Sequence, residues 1–167
     1  MRVPTMERDV IDIPLAPTTI VGVISDTHGL LRPEVPKLLT GVRLILHAGD
    51  VGAPEVLEAL RTIAPVIAVR GNNDKGPWAR RIPESQIVPI GSIVVYIVHD
   101  VKMMRLPSRK KVHVVVSGHS HRPSIDRREG MLFLNPGSTG PRRFKLPISM
   151  AKLIVEGEAV RAELVEL

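Results

Sequence analysis

Apolar runs rich in valine and isoleucine recur along this chain, and most of them lead into a side chain of the kind that binds metals. Asp26 and His28 come after Thr19–Ile24, Asp50 after Val42–Leu46, and Asn72 after Val66–Val69. His99 comes after Ile93–Val98, and His119 and His121 after Val112–Val116. Short β-branched runs of this sort predict buried strands. Side chains just past the strand ends of an α/β sheet gather on one rim, where such sheets bind their ligands. The segments D-T-H-G, G-D, G-N-N-D, H and G-H-S-H therefore predict one site of imidazole, carboxylate and amide donors. Two divalent metal ions are its most natural occupants.

A chain of 167 residues suits one domain and can bury a real core. A hydrophobic content of 44% excludes general disorder. Aromatic residues make up only 2%, so the core must be valine, isoleucine, leucine and alanine, the usual filling of a sheet covered on both faces. There is no cysteine, which removes disulfides, thiolate–zinc sites and cysteine nucleophiles together, and suits a reducing cytosol. Met1–Thr19 mixes charge with proline and lacks the apolar stretch of a signal peptide. Ile90–Val98 is about half of what a membrane span needs. The expectation is a soluble cytoplasmic protein with no membrane partner.

The net charge is +6, and the positive residues are clustered. Lys102, Arg105, Arg109, Lys110 and Lys111 lie between His99 and the next strand, Arg122 follows His121, and Arg142, Arg143 and Lys145 follow Asn135–Gly140. Basic loops around a cleft raise the local concentration of anions. The clusters are not built by alternating basic with aromatic residues, as single-strand binders are. A small anionic substrate is expected ahead of nucleic acid.

The order of elements opens as βαβαβ. Strands are predicted at Thr19–Ser25, Val42–Leu46 and Pro65–Val69, with helices at Pro33–Leu39 and Pro54–Ile63 between them. Pro33 and Pro54 suit first helical turns, and Val56, Leu57, Leu60 and Ile63 form one apolar face. This opening argues for a parallel sheet with right-handed crossovers. After Trp78–Glu84 the strands shorten: Gln86–Ile90, Ile93–Val98, Val112–Val116, Ser124–Glu129 and Met131–Leu134. Gly91-Ser92 and Glu129-Gly130 mark hairpins, and Ser149–Val155 with Ala159–Leu164 forms another. Residues 1–18 read as an N-terminal extension, with an irregular edge strand through Val10–Ile13. Residues 19–167 read as a single α/β domain of two sheets with helices packed outside.

Asp26 and His28 stand at i, i+2, and in extended backbone that spacing puts both on one face. The same holds for His119 and His121. One carboxylate, Asp50, has two oxygens to bridge two cations. Counting donors gives Asp26, His28, Asp50 and His121 for one ion, and Asp50, Asn72, His99 and His119 for the other. Nitrogen and oxygen donors without sulfur favour Mn, Fe, Co, Ni or Zn over Ca or Mg. A pair about 3.5–4 Å apart can hold a bridging hydroxide and clamp a phosphoryl group during in-line attack. Each fragment alone is weak, since Gly49-Asp50 and Gly71–Asp74 are also ordinary turn chemistry; G-H-S-H is the most specific. Of the two histidines outside the set, His113 reads as a packing or surface residue. His47 reads the same way, or as an outer partner of the metal cluster.

The order D-x-H, G-D, G-N-x-D, H, G-H-x-H resembles the calcineurin-like metallophosphoesterase superfamily, and the compact size is similar to its small bacterial and archaeal phosphodiesterase branch. The resemblance runs from Val21 to about Pro141 and takes in Asn135-Pro136-Gly137-Ser138. It implies a four-layer sandwich, two mixed β-sheets flanked by helices, and a dinuclear, often manganese-supported phosphoester hydrolase, and a phosphodiesterase acting on small or nucleotide-like diesters is the form expected here. It also implies ligand roles for Asp26, His28, Asp50, Asn72, His99, His119 and His121. Two positions depart from the pattern. Asn73 stands where many members have histidine, and Asp100 stands where glycine is common.

Asn73 and Asp74 are the candidate catalytic residues. Asn73 can donate a hydrogen bond to a phosphate oxygen but cannot deliver a proton. General acid help is worth about 10²–10⁴-fold, so activated aryl diesters are expected to react better than monoesters with alkoxide leaving groups. Asp74 orients a neighbour or closes an Asx-turn. Asp100 caps a loop or touches the metal shell. The Asn135–Ser138 loop buttresses His119–His121 or meets phosphate, and Arg142 and Arg143 complete an anion subsite or are solvated. A non-catalytic interaction module on the same fold, or a nuclease, is the alternative. The oligomeric state is open, a homo-oligomer included.

Overall fold

Every connection in the first half of the chain is a crossover, and this sets the architecture. The computed structural model describes residues 17–167, so the suggested strand at Val10–Ile13 lies outside the described residues. β1 (Thr19–Ile24), β2 (Leu44–His47) and β3 (Val66–Ala68) run parallel, joined by α1 (Glu34–Leu38) and α2 (Pro54–Arg61). β9 (Ser149–Glu156) adds antiparallel to β1, and β10 (Ala159–Glu166) adds to β9, giving the order β10-β9-β1-β2-β3.

After the short α3 (Pro77–Arg80), the second sheet is built from β4 (Ser85–Ile90), β5 (Ile93–Val98), β6 (Val114–Val116), β7 (Ser124–Arg128) and β8 (Met131–Asn135). Its order is β4-β5-β6-β8-β7, with β5, β6 and β8 parallel and the two edge strands antiparallel. Glu129 and Gly130 both have positive φ, 51° and 79°, which lets a two-residue turn follow the twist of β7 and β8.

Alternation along the strands divides the core into layers. Val21, Val23, Leu44 and Leu46 of the first sheet meet Val95, Ile97, Val114, Val116, Leu132 and Leu134 of the second, all buried. The other face of the first sheet is covered by Val35 and Leu39 near α1 and Leu57 and Leu60 of α2. The two mixed sheets are those the sequence predicts, but the helices are few and lie on the first sheet. The outer face of the second, Tyr96, Val98 and Val115, is covered by a 3-10 turn at Val101–Met103 and the chain after it, with Met104 packed against it. Pro107 and the basic residues of 105–111 leave no apolar stripe there from which a helix could form.

The parallel strands bring their C-terminal ends to one edge. D-T-H leaves β1, G-D leaves β2, G-N-N-D leaves β3, His99 leaves β5 and G-H-S-H leaves β6. Asn135 ends β8 on the same edge. Among the described residues, no helix is long and apolar enough to cross a membrane.

Candidate metal centre

The loops that carry the site are wound the wrong way round for ordinary residues. Among the described residues seven non-glycine residues have positive φ, and five of them are Asp26, His28, Asp50, His119 and His121. Such backbone costs about 1–2 kcal/mol per residue and concentrates at functional sites. The i, i+2 pairs thus share a face, but not because the backbone is extended as the sequence spacing suggested. Both members of each pair sit in left-handed turns just past the strand ends.

All seven predicted ligands meet. Asp26 is fully buried. Its Oδ2 accepts hydrogen bonds from Ser25 Oγ at 2.6 Å and from the His119 amide at 3.1 Å. Its Oδ1 is buried with no donor in bonding geometry. Around that oxygen stand His121 Nε2 at 3.2 Å, His28 Nε2 at 3.7 Å and His99 Nε2 at 4.0 Å. Asp50 Oδ2 lies 3.3 Å from His99 Nε2 and 3.7 Å from His28 Nε2, between the two halves of the site. Asn72 Oδ1 faces His99 Nε2 at 3.0 Å and His119 Nδ1 at 3.1 Å. Two triads have donor atoms close enough for one ion each: Asp26, His28 and His121, and Asp26, Asp50 and His99.

This arrangement fits divalent cations. A buried carboxylate oxygen without a donor is costly unless a positive charge completes it, and Asp26 Oδ1 is surrounded by ring nitrogens instead. The His99 Nδ1 lies 2.7 Å from the Ala48 carbonyl, which places a proton there and turns Nε2 toward the carboxylates. Burial works to raise the Asp26 carboxyl, but His121, His28, the Ser25 hydroxyl and His99 hold it well below the usual range. Burial also opposes Asp50, which His99 and the Asn73 amide lower to about 2. Asp26 in turn raises His28, and although burial lowers His99, Asp50 and Asp26 leave it raised. The two carboxylates stay charged and call for positive charge between them.

Neighbours outside the set fix the loops. Both Asp74 oxygens are engaged by backbone: Oδ1 accepts from the Gly52 amide at 2.9 Å, and Oδ2 from Val51 at 3.1 Å and Gly71 at 2.9 Å. The sequence reading placed Asp74 among the catalytic residues; its contacts make it a positioning residue that ties the Asp50 loop to the Asn72 loop. Gly71 is needed at that seam, because a Cβ there would overlap Asp50 backbone and carboxylate. Asn73 gives its backbone amide to Asp50 Oδ1 and its side-chain amide to Oδ2, both at 2.9 Å, and keeps one N–H free.

Asn135 buttresses the G-H-S-H loop by donating to the Gly118 carbonyl at 2.9 Å and to Ser120 Oγ at 3.1 Å. Asp100 caps the 3-10 turn through the Lys102 amide at 3.0 Å, with its other oxygen 3.9 Å from His119 Nε2. Ser25 and Thr27 also hold the site, and no pattern in the sequence marks them out. Phe144 lies between Arg143 and Lys145, 90% exposed, with φ +52°, so this one cluster does carry an aromatic residue, contrary to the expectation from the sequence.

His47 joins two ligand loops from beneath. It is buried, its Nδ1 accepts from the Gly49 amide at 3.2 Å, and its Nε2 meets Thr27 Oγ1 at 3.0 Å. Burial lowers its pKa to about 4. Between that value and the unfolded value of about 6.5 the unfolded chain binds the extra proton, so stability falls as pH drops through this window. The loss is expected to approach about 3 kcal/mol. In urea unfolding of chelator-treated protein, His47→Gln should remove this part of the pH dependence. An unchanged slope would mean that His47 is not held neutral.

A rim of imidazoles and carboxylates above two facing sheets offers the donor set of a metal centre. Residues 20–158 match the model of the calcineurin-like phosphoesterase superfamily domain, and the chain belongs to that superfamily. It is 38% identical to a probable metallophosphoesterase of Methanothermobacter thermautotrophicus, over 87% of this chain and 91% of that one. It is 28% identical to a phosphodiesterase of Methanocaldococcus jannaschii, over 70% of this chain and 82% of that one. Among solved structures it resembles a novel archaeal phosphodiesterase, with TM-score 0.71 at 24% identity, covering 88% of this chain and 100% of that one. It resembles Vacuolar Protein Sorting 29 of Cryptosporidium parvum to the same degree, TM-score 0.71 at 21% identity, covering 90% and 98%.

Proposed function

We propose that this chain is a phosphodiesterase that works with two divalent transition-metal ions, manganese foremost, with Fe, Co, Ni or Zn as substitutes. Asp26, His28, Asp50, Asn72, His99, His119 and His121 would hold them. The carrying observation is the meeting of these donors around Asp26 Oδ1 and Asp50 Oδ2, the first buried and without a hydrogen-bond donor. Bound cations would supply Lewis acidity toward a phosphoryl oxygen and a water made acidic near neutral pH.

The rest falls to the chain. Asp74 fixes the loop of Asp50, and Asn73 fixes its carboxylate while directing its spare N–H at a phosphate oxygen. Arg142 and Arg143, in the loop on the His28 side, draw the anion in. With asparagine at position 73 the leaving group receives no proton from that side chain, which favours diesters whose leaving group is a stable anion. Residues 19–167 act as one domain in the cytoplasm.

Protein supplemented with Mn²⁺ is expected to cleave bis(p-nitrophenyl) phosphate, to lose turnover on chelation and to regain it when the metal is restored. Alkyl monoesters should react far more slowly. Metal-loaded protein inert toward activated diesters would overturn the proposal and favour an interaction module on the same fold, a reading that Asn73 supports. The exposed Phe144 among basic residues supports the nuclease reading instead. In that case binding of single-stranded DNA would fall steeply with salt.

A further inference from the structure

A cavity of about 470 Å³ opens beside Asn72, His99 and His119, within the range that holds small organic ligands. Nothing in the mechanism above uses its far wall. β5 contributes Tyr96 and Val98, and β4 contributes Ser85. The 3-10 turn contributes Met103, which is 65% exposed at the mouth.

The charges of this wall cancel. Arg70 pairs with Glu84 at 2.8 Å, and the other lining arginine, Arg105, is matched in number by the lining carboxylate Asp100. A wall meant for a second phosphate would carry excess positive charge, as the loops around it do. This wall instead mixes donors and acceptors around a small apolar area. The Tyr96 hydroxyl accepts from the Arg105 amide at 3.2 Å and keeps its own proton to donate. Met103 offers a flexible, polarisable surface for a flat ring. The apolar part is too small for an acyl chain, since only Val98, Tyr96 and Met103 supply it.

We infer that this cavity receives one ester arm of the substrate, and that the arm is a nucleoside: uncharged, hydroxyl-bearing and carrying a ring to lie on Met103. The inference rests on the phosphoesterase reading, which puts the phosphorus at the Asn72–His119 side.

The test uses full-length, zinc-loaded protein, with thymidine 5′-monophosphate and methyl phosphate compared by calorimetry. A second readout is the NMR signal of the Met103 methyl in protein carrying ¹³C-methyl methionine. Thymidine monophosphate is expected to bind at least about tenfold tighter, a difference of about 1.4 kcal/mol, and to shift Met103, whereas methyl phosphate leaves it in place. Ser85→Trp, which fills the cavity, should erase the difference without weakening methyl phosphate. Equal affinities, or an unmoved Met103 signal, would overturn the inference, and the Met103 signal decides even if the tryptophan variant does not fold. A parallel assay of bis(p-nitrophenyl) phosphate separates the two proposals. Turnover with an unmoved Met103 refutes only the cavity, and a moved Met103 without turnover refutes only the catalytic reading.

Discussion

Asp50→Asn is expected to lower turnover of bis(p-nitrophenyl) phosphate by at least about 10³-fold, because a bound cation contributes several kcal/mol to the transition state and each 1.36 kcal/mol is tenfold. The substitution keeps the shape and removes the charge. Asp50 Oδ2 stands 3.3 Å from His99 Nε2 and 3.7 Å from His28 Nε2, nearer to His99 than Asp26 Oδ1 at 4.0 Å. An amide in that position also presents N–H groups to the Asn73 donors that now hold the carboxylate. Steady-state rates with saturating Mn²⁺, alongside circular dichroism to confirm folding, measure the effect. Retention of wild-type turnover would show that the charge at this position is not needed.

Gly52→Ala is expected to cost about 3 kcal/mol or more, since it combines positive-φ strain with overlap that cannot relax. Gly52 has φ +88°, and a Cβ there would overlap the Gly29 amide and the His28 carbonyl carbon and come within 2.7 Å of His28 Cα. All three are backbone atoms, so no rotamer change relieves the contact. Relief requires the D-T-H-G segment to move away from the Asp50 loop, breaking the bonds His28 N to Asp50 O, 2.9 Å, and Gly29 N to Val51 O, 2.8 Å. Gly41→Ala is the natural control: its φ is +84°, yet a Cβ there meets nothing within 4 Å. Strain alone should cost about 1–2 kcal/mol at that position. Urea unfolding of both variants isolates the overlap, and equal losses would mean that the two loops part easily.

Most of this site could be read from the chain because its ligands are placed by strands. A β-branched run announces its own end, and a polar residue one to four positions on lands on the rim whichever sheet it leaves. Asp26, Asp50, Asn72, His99 and His119 were legible for that reason, once taken together and in order. The left-handed turns were not, since aspartate and histidine resemble ordinary loop residues until neighbouring backbone forces their φ. Asp74 is the instructive case. Its position in G-N-N-D marks it as part of the site, but only coordinates reveal that three backbone amides consume its oxygens. The cavity was invisible as well, because Ser85, Tyr96 and Met103 carry no motif and meet only through the packing of β4, β5 and the 3-10 turn.

The unusual winding at Asp26, His28, Asp50, His119 and His121 has a thermodynamic corollary. In a denatured chain these residues relax to commoner conformations, and the donor atoms scatter along some hundred positions of sequence. The denatured ensemble then offers an ion no better than isolated short-range pairs. Almost the whole affinity belongs to the folded form, so mass action should raise the melting temperature steadily with the logarithm of free cation.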